Sequence, residues 1–151
     1  NCSPKGRDSF HVLGPTTVAY VDFTGSGVET IAHLRANGRI VVMLCAFEGA
    51  PRIVRFHGRG EVLRPDHAEF AGLLHGFGQR ALGVRSIVRI EVTRISDSCG
   101  FGVPTFQFEG ERDTLVNWAD KKGEAGVAQY WREKNATSLD DLPGIDDSPG
   151  R

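Results

Sequence analysis

At 151 residues and 16.5 kDa, with 40 % hydrophobic and 25 % charged residues, the chain has the make-up of one soluble globular domain with a single core. Its formal net charge of −1 excludes the basic surplus that non-specific nucleic-acid binding draws on, and no apolar run approaches the roughly 18–20 residues that cross a bilayer. Cys2, Cys45 and Cys99 are odd in number and widely spaced, which excludes a CxxC metal pair or a disulfide framework and points to a reducing cytoplasm.

Taken in order, "SPKG" (3–6) reads as part of a strand, and two further β-like segments, 10–13 and 17–23, flank Gly14-Pro15 as a hairpin. Val28, Ile31, Ala32 and Leu34 fall at helical spacing, and Asn37-Gly38 stops that helix. "RIVVMLCAF" (39–47) carries eight apolar residues in a row after Arg39, the pattern of a strand buried on both faces. In "RIVRFHGRGEVL" (52–63), Val54, Phe56, Gly58, Gly60 and Val62 share one side, and Arg55, His57, Arg59 and Glu61 the other; glycines inside a strand mark a bend or a close approach. A short helix capped by Asp66 runs to about Leu74, and "RSIVRIEVTRI" (85–95) alternates again. After "SCGFGVP" (98–104) a strand is expected over 105–109, and one kinked or two short helices over 111–135. Many short strands with two or three helices predict a mainly β fold, a small barrel with flanking helices, spanning 1–135; residues 136–151 form a C-terminal tail.

"DFTGSGVETIAHL" (22–34) admits two readings. Ser26 and Glu29 match a capping box, worth about 1 kcal/mol without any ligand. A helix start rich in glycine also offers backbone N–H groups and partial positive charge to an anion. Lys5, on a neighbouring strand, adds the full charge that a phosphate dianion calls for. No histidine pair has a convincing metal spacing: His67 and His75 stand eight apart, and no metal site is expected.

As a set, "SPKG", "TGSGVETIAHLRANGRI" (24–40), "CAFEGAPRIVRFHGRG" (45–60), "SCGFGVP" and "YWREKNATSLDDLPG" (130–144) resemble the FMN-binding split-barrel family, in its branch related to pyridoxamine 5'-phosphate oxidase. The resemblance covers nearly the whole chain, apart from a helix and first barrel strand that usually precede "SPKG". It implies a split β-barrel, a homodimer with FMN at the subunit interface, and an FMN-dependent oxidoreductase whose substrate stays open. Lys5, flanked by Ser3 and Gly6, corresponds to a basic phosphate ligand. Tyr20, Val21 and Asp22 run along the flavin and ribityl chain, mainly through backbone contacts. Val28-Glu29-Thr30 stands where classical members carry serine-arginine-lysine, so Ser26, Gly27 and Thr30 are left to donate neutral hydrogen bonds. Arg52 matches a position near the flavin ring, and Phe101 is a stacking candidate from the partner subunit. The basic residues that hold pyridoxamine phosphate have no match, and no catalytic residue is assigned. Competing readings are a flavin-storage protein, a split barrel using the deazaflavin F420 or haem (with His33 or His57), and a cofactor-free interaction module.

Overall fold

A computed structural model of the chain describes residues 1–145. Five antiparallel strands form one sheet in the order β1-β2-β5-β4-β3, where β1 is Phe10–Val12, β2 Thr17–Phe23, β3 Arg39–Cys45, β4 Ile53–Leu63 and β5 Val84–Ser98. Helix α1 (Val28–Asn37) joins β2 to β3, α2 (Phe70–Gly76) joins β4 to β5, and α3 (Thr114–Lys134) follows the sheet. No helix among the described residues is long and apolar enough to cross a membrane.

Side chains of β2 alternate between two apolar clusters, because successive residues of a strand face opposite ways. Val18 and Tyr20 pack with Val88, Ile90 and Leu34 of α1. Ala19 and Val21 pack on the other side with Leu63, Val84, Ile87 and the α2 residues Phe70 and Leu74. Leu63, Ile87 and Ile90 are fully buried, each contributing about 1.5–3 kcal/mol. Both faces of β2 and of the first half of β5 are thus covered, which fixes their register.

Glycines in β4 are there for close approach. A Cβ on Gly60 would lie 2.7 Å from Leu34 Cδ2, and one on Gly58 would collide with the Glu91 carbonyl at the bulge between His57 and Gly58. Helix α3 breaks direction at Gly123, whose φ of 64° and ψ of 174° lie outside the helical region, matching the expected kink.

Five expectations are corrected. Strand β3 is not buried on both faces: it lies at the sheet edge, paired only with β4, and Val41 and Met43 are 52 % and 54 % exposed. Among the described residues nothing covers that edge. Residues 105–109 form no strand: towards the turn after β3 they make one backbone–backbone bond, Phe106 N–H to Phe47 O at 3.0 Å, and Phe108 N–H donates to the Glu48 side chain at 2.8 Å, which is no ladder. Lys5 is not on a strand; residues 1–6 run as coil into a single 3₁₀ turn, Arg7–Ser9. Asp66 does not cap α2, which begins after Glu69. Residues 136–145, expected as tail, lie against α1: Thr137 bridges Pro143, and Ile145 is buried beside Val28 and Ile31. Positions 146–151 of that expectation fall outside the described residues.

Candidate functional site

The glycine loop between β2 and α1 is anchored at its start. Thr24 donates from both N–H and hydroxyl to Gly83 O at 2.9 Å, and its hydroxyl oxygen accepts Trp131 Nε1–H at 2.8 Å. Gly25 then takes φ 142°, a backbone conformation that residues with a Cβ rarely adopt. Gly27 is the N-cap of α1, and no side chain caps the helix. The expected Ser26–Glu29 capping box therefore does not form. Glu29 is drawn away by the C-terminal segment, its two carboxylate oxygens accepting Leu139 N–H at 3.1 and 3.2 Å. The N–H groups of Ser26 and Gly27 have no acceptor among the described residues.

Beneath Gly27 lies a charged cluster. The side chains of Asp22 and Arg85 are 1 % and 0 % exposed and pair at 2.8 Å. Arg85 Nε donates to Asp22 Oδ2 at 2.9 Å, and Arg85 Nη1 donates to Gly25 O at 2.6 Å and Asn135 Oδ1 at 2.8 Å. Ser86 Oγ adds a hydrogen bond to Asp22 Oδ2 at 3.2 Å. Arg85 Nη2, although close to Asp22, is left without a well-aligned acceptor. Such a pair is stable in a low dielectric only when the remaining donors and acceptors are met, as most are here. Lys5 Nζ approaches Asp22 Oδ1 at 3.2 Å, donates to Ser3 Oγ at 2.9 Å, and stands 5.0 Å over the ring of Tyr20. Two cations against one carboxylate leave a surplus positive charge, and Lys5, 23 % exposed, is the one that reaches solvent.

Gly27 has no room for a side chain: a Cβ would lie 2.8 Å from Asp22 Oδ1, 3.0 Å from Arg85 Nη2 and 3.1 Å from Lys5 Nζ. The glycine lets the helix N-terminus sit directly on the cluster. Above it opens a cavity of about 650 Å³ lined by Ser3, Lys5, Gly6, Ser26 and Gly27. Five of the residues proposed from the sequence thus meet at one place. The rim also carries Asp8, Glu111, Asp113 and Arg112, and Glu111 is tied down by accepting Arg7 N–H at 2.8 Å.

The other proposed residues lie elsewhere. Tyr20 and Val21 are core residues, and burial followed by the Asp22 carboxylate pushes the Tyr20 phenol well above its ordinary range, only partly offset by the Thr30 hydroxyl and Arg85. Asp22 underlies the cavity without lining it. Thr30 accepts a hydrogen bond from Asn1 Nδ2 at 2.7 Å, and Glu29 faces residue 139. Arg52 packs its backbone against Gly100, and Phe101 is 83 % exposed beside it; neither lines the cavity. His57 bonds Ser96 Oγ at 3.1 Å and His33 bonds Asp140 at 3.1 Å. Sequence reasoning missed Arg85, Asn135 and Trp131. A signal for Arg85 existed: it opens the otherwise apolar start of β5, next to Ser86, the register partner of Asp22.

The sequence pattern of the pyridoxamine 5'-phosphate oxidase family matches residues 3–99. The chain is 38 % identical over 163 aligned positions to the "Pyridoxamine 5'-phosphate oxidase family protein ustO" of Aspergillus flavus, an alignment covering 96 % of this chain and 65 % of that protein. It therefore spans about two thirds of the length of that relative. Crystal structures of tagged HupZ from Group A Streptococcus and of a variant of it share the fold at a TM-score of 0.50 and 21 % identity. They cover 60 % of this chain and 70 % and 73 % of theirs. The antiparallel sheet with three helices is accordingly of the split-barrel type, and the chain belongs to the pyridoxamine 5'-phosphate oxidase family.

Proposed function

We propose that this protein binds FMN and serves as an FMN-dependent oxidoreductase of the family's type, working as a homodimer in the cytoplasm on a small molecule. The observation that carries the reading is the cavity at the start of α1, where Lys5, the solvent-reaching cation of the buried cluster, stands beside two backbone N–H groups with no acceptor among the described residues. A phosphate monoester is a dianion rich in acceptors, and this donor set fits it. Lys5 would supply the formal charge, with Ser26 Oγ and the Ser26 and Gly27 N–H groups completing the hydrogen bonds. Arg85 holds Asp22 and Gly25 in place beneath them, so the cradle is rigid before any ligand arrives. When bound, FMN supplies the redox chemistry, and the protein contributes position and electrostatics. Arg52 and Phe101 are assigned to the flavin ring, Phe101 reaching it from the partner subunit. Dimerisation along the uncovered β3 edge would give Val41, Met43 and Leu44 the cover they lack within one chain. The three free cysteines suit a reducing cytoplasm.

The test is the visible spectrum of the purified protein before and after FMN addition and desalting. Retained flavin bands support the site, and Lys5→Glu should weaken retention by about 10–100-fold, the worth of one charge-assisted contact. A Lys5→Glu variant that holds FMN as tightly as the parent refutes the assignment. Turnover of NAD(P)H with bound FMN separates an enzyme from a flavin carrier. The acidic rim favours a second reading, a cofactor-free module, because Asp8, Glu111 and Asp113 oppose a dianion. A colourless protein that releases added FMN supports it once F420 has also failed to bind.

A further inference from the structure

We propose that Glu29, His33 and Asp140 form a binding site for a divalent transition metal, with Zn²⁺ as the best chemical match. Glu29 and His33 lie one turn apart on α1, a spacing that puts both side chains on one helix face. Asp140 comes from the segment that crosses this face, and its Oδ2 stands 3.1 Å from His33 Nε2. One ligand atom from each of the three lies within 4.8 Å of the others. Metal–ligand bonds of about 2.1 Å place neighbouring ligand atoms about 3.4 Å apart in a tetrahedral site. The His33–Asp140 pair already meets that separation, and Glu29 needs a small side-chain shift.

Three further observations favour a cation here. Among the described residues no lysine or arginine pairs with Glu29 or Asp140, so two neighbouring carboxylates share only the His33 imidazole. A dication replacing the proton between His33 and Asp140 would neutralise both. The ligands are also oriented by other groups, as metal ligands generally are. Leu139 N–H donates to both Glu29 oxygens, and Ser138 Oγ accepts Asp140 N–H at 3.2 Å and Leu142 N–H at 3.0 Å. Finally, the site is open on one side: the His33 and Asp140 side chains are 31 % and 69 % exposed, leaving a path for a hydrated ion and room for water as a fourth ligand. One imidazole with two carboxylates suits Zn²⁺, whose affinity for mixed nitrogen and oxygen ligands exceeds that of Mn²⁺ or Fe²⁺. The metal would fasten residues 136–145 to the first turns of α1, the helix whose N-terminus forms the cradle. The site stands apart from the flavin reading and survives its failure.

The test is titration of chelator-treated full-length protein with Zn²⁺ alone by calorimetry, paired with thermal unfolding. The expected result is one Zn²⁺ per chain and a raised Tm in excess metal. His33→Gln and Asp140→Asn should each weaken binding at least about 10-fold and abolish the Tm rise. His57→Gln, on β4 and outside the three-ligand cluster, should leave both unchanged. Absence of one-to-one binding, or binding undiminished in both ligand variants, overturns the proposal. Should His33→Gln fail to fold, Asp140→Asn, at an exposed position, decides the matter alone.

Discussion

Replacing Arg85 by methionine tests the charged cluster most directly. The substitution keeps much of the side-chain volume but removes the cation, leaving Asp22 buried and depriving Gly25 O and Asn135 Oδ1 of their donor. An uncompensated buried charge costs about 3–5 kcal/mol, and each orphaned acceptor adds about 1–3 kcal/mol. Lys5, already 3.2 Å from Asp22, moderates the first cost as its remaining cationic partner, beside the Ser86 hydroxyl. A net loss of about 4 kcal/mol is the working figure, a large part of the roughly 7–15 kcal/mol expected for a domain of this size. The assay is urea unfolding of the parent, Arg85→Met, Asp22→Asn and the double variant. The double variant should be more stable than the sum of the single effects predicts, because removing both charges leaves neither of them buried without its partner, although Gly25 O and Asn135 Oδ1 still lack their donor. A loss below about 1 kcal/mol for Arg85→Met, or strict additivity in the cycle, would refute the reasoning. Arg85→Met should also weaken FMN retention, since Lys5 is then committed to Asp22.

Further outcomes follow from other parts of the structure. Gly27→Ala forces a Cβ within 2.8–3.1 Å of Asp22, Arg85 and Lys5 and should cost about 1–3 kcal/mol in urea unfolding, as overpacking generally does; a change within 0.5 kcal/mol of zero would mean the cluster is softer than drawn here. Met43→Asp on the exposed β3 edge should convert the proposed dimer to monomer by sedimentation, whereas a dimer that persists in the variant would refute an interface along this edge. The Tyr20 phenol, raised by burial from its ordinary 10.0, stays protonated in the fold while the unfolded phenol ionises. Stability should therefore be full below pH 10 and fall as the pH rises above it, with Tyr20→Phe flattening that slope in alkaline denaturation curves.

Local signals read well from the sequence and distant pairings did not. The α1 stop at Asn37-Gly38 and the kink at Gly123 both follow from what one residue type does to its own backbone. That Ser26 and Gly27 stand at a helix start beside Lys5 was legible because helix starts advertise themselves in composition. The capping box failed for a non-local reason: Glu29 has a better partner 110 residues away in Leu139. Arg85 was hidden because a strand arginine looks the same whether it faces water or a buried aspartate, and only the β2–β5 register decides. The apolar run of β3 was misread as a strand buried on both faces, because such a pattern carries no information on whether the strand lies in the middle of a sheet or at its edge.

Arg85 also imposes an order on synthesis. The glycine loop is made early, but its Gly25 carbonyl is held by a guanidinium 60 residues later, and that guanidinium is in turn held by Asn135. Thr24 waits likewise for Trp131, at the far end of α3. A nascent chain emerging from the ribosome can pair β1 with β2 and wind α1 with only local partners, while the cradle remains unformed. Any flavin captured then would find Lys5 drawn to an aspartate that lacks its arginine. The cradle is complete only after residue 135 has left the exit tunnel, so its assembly is a late event set by translation.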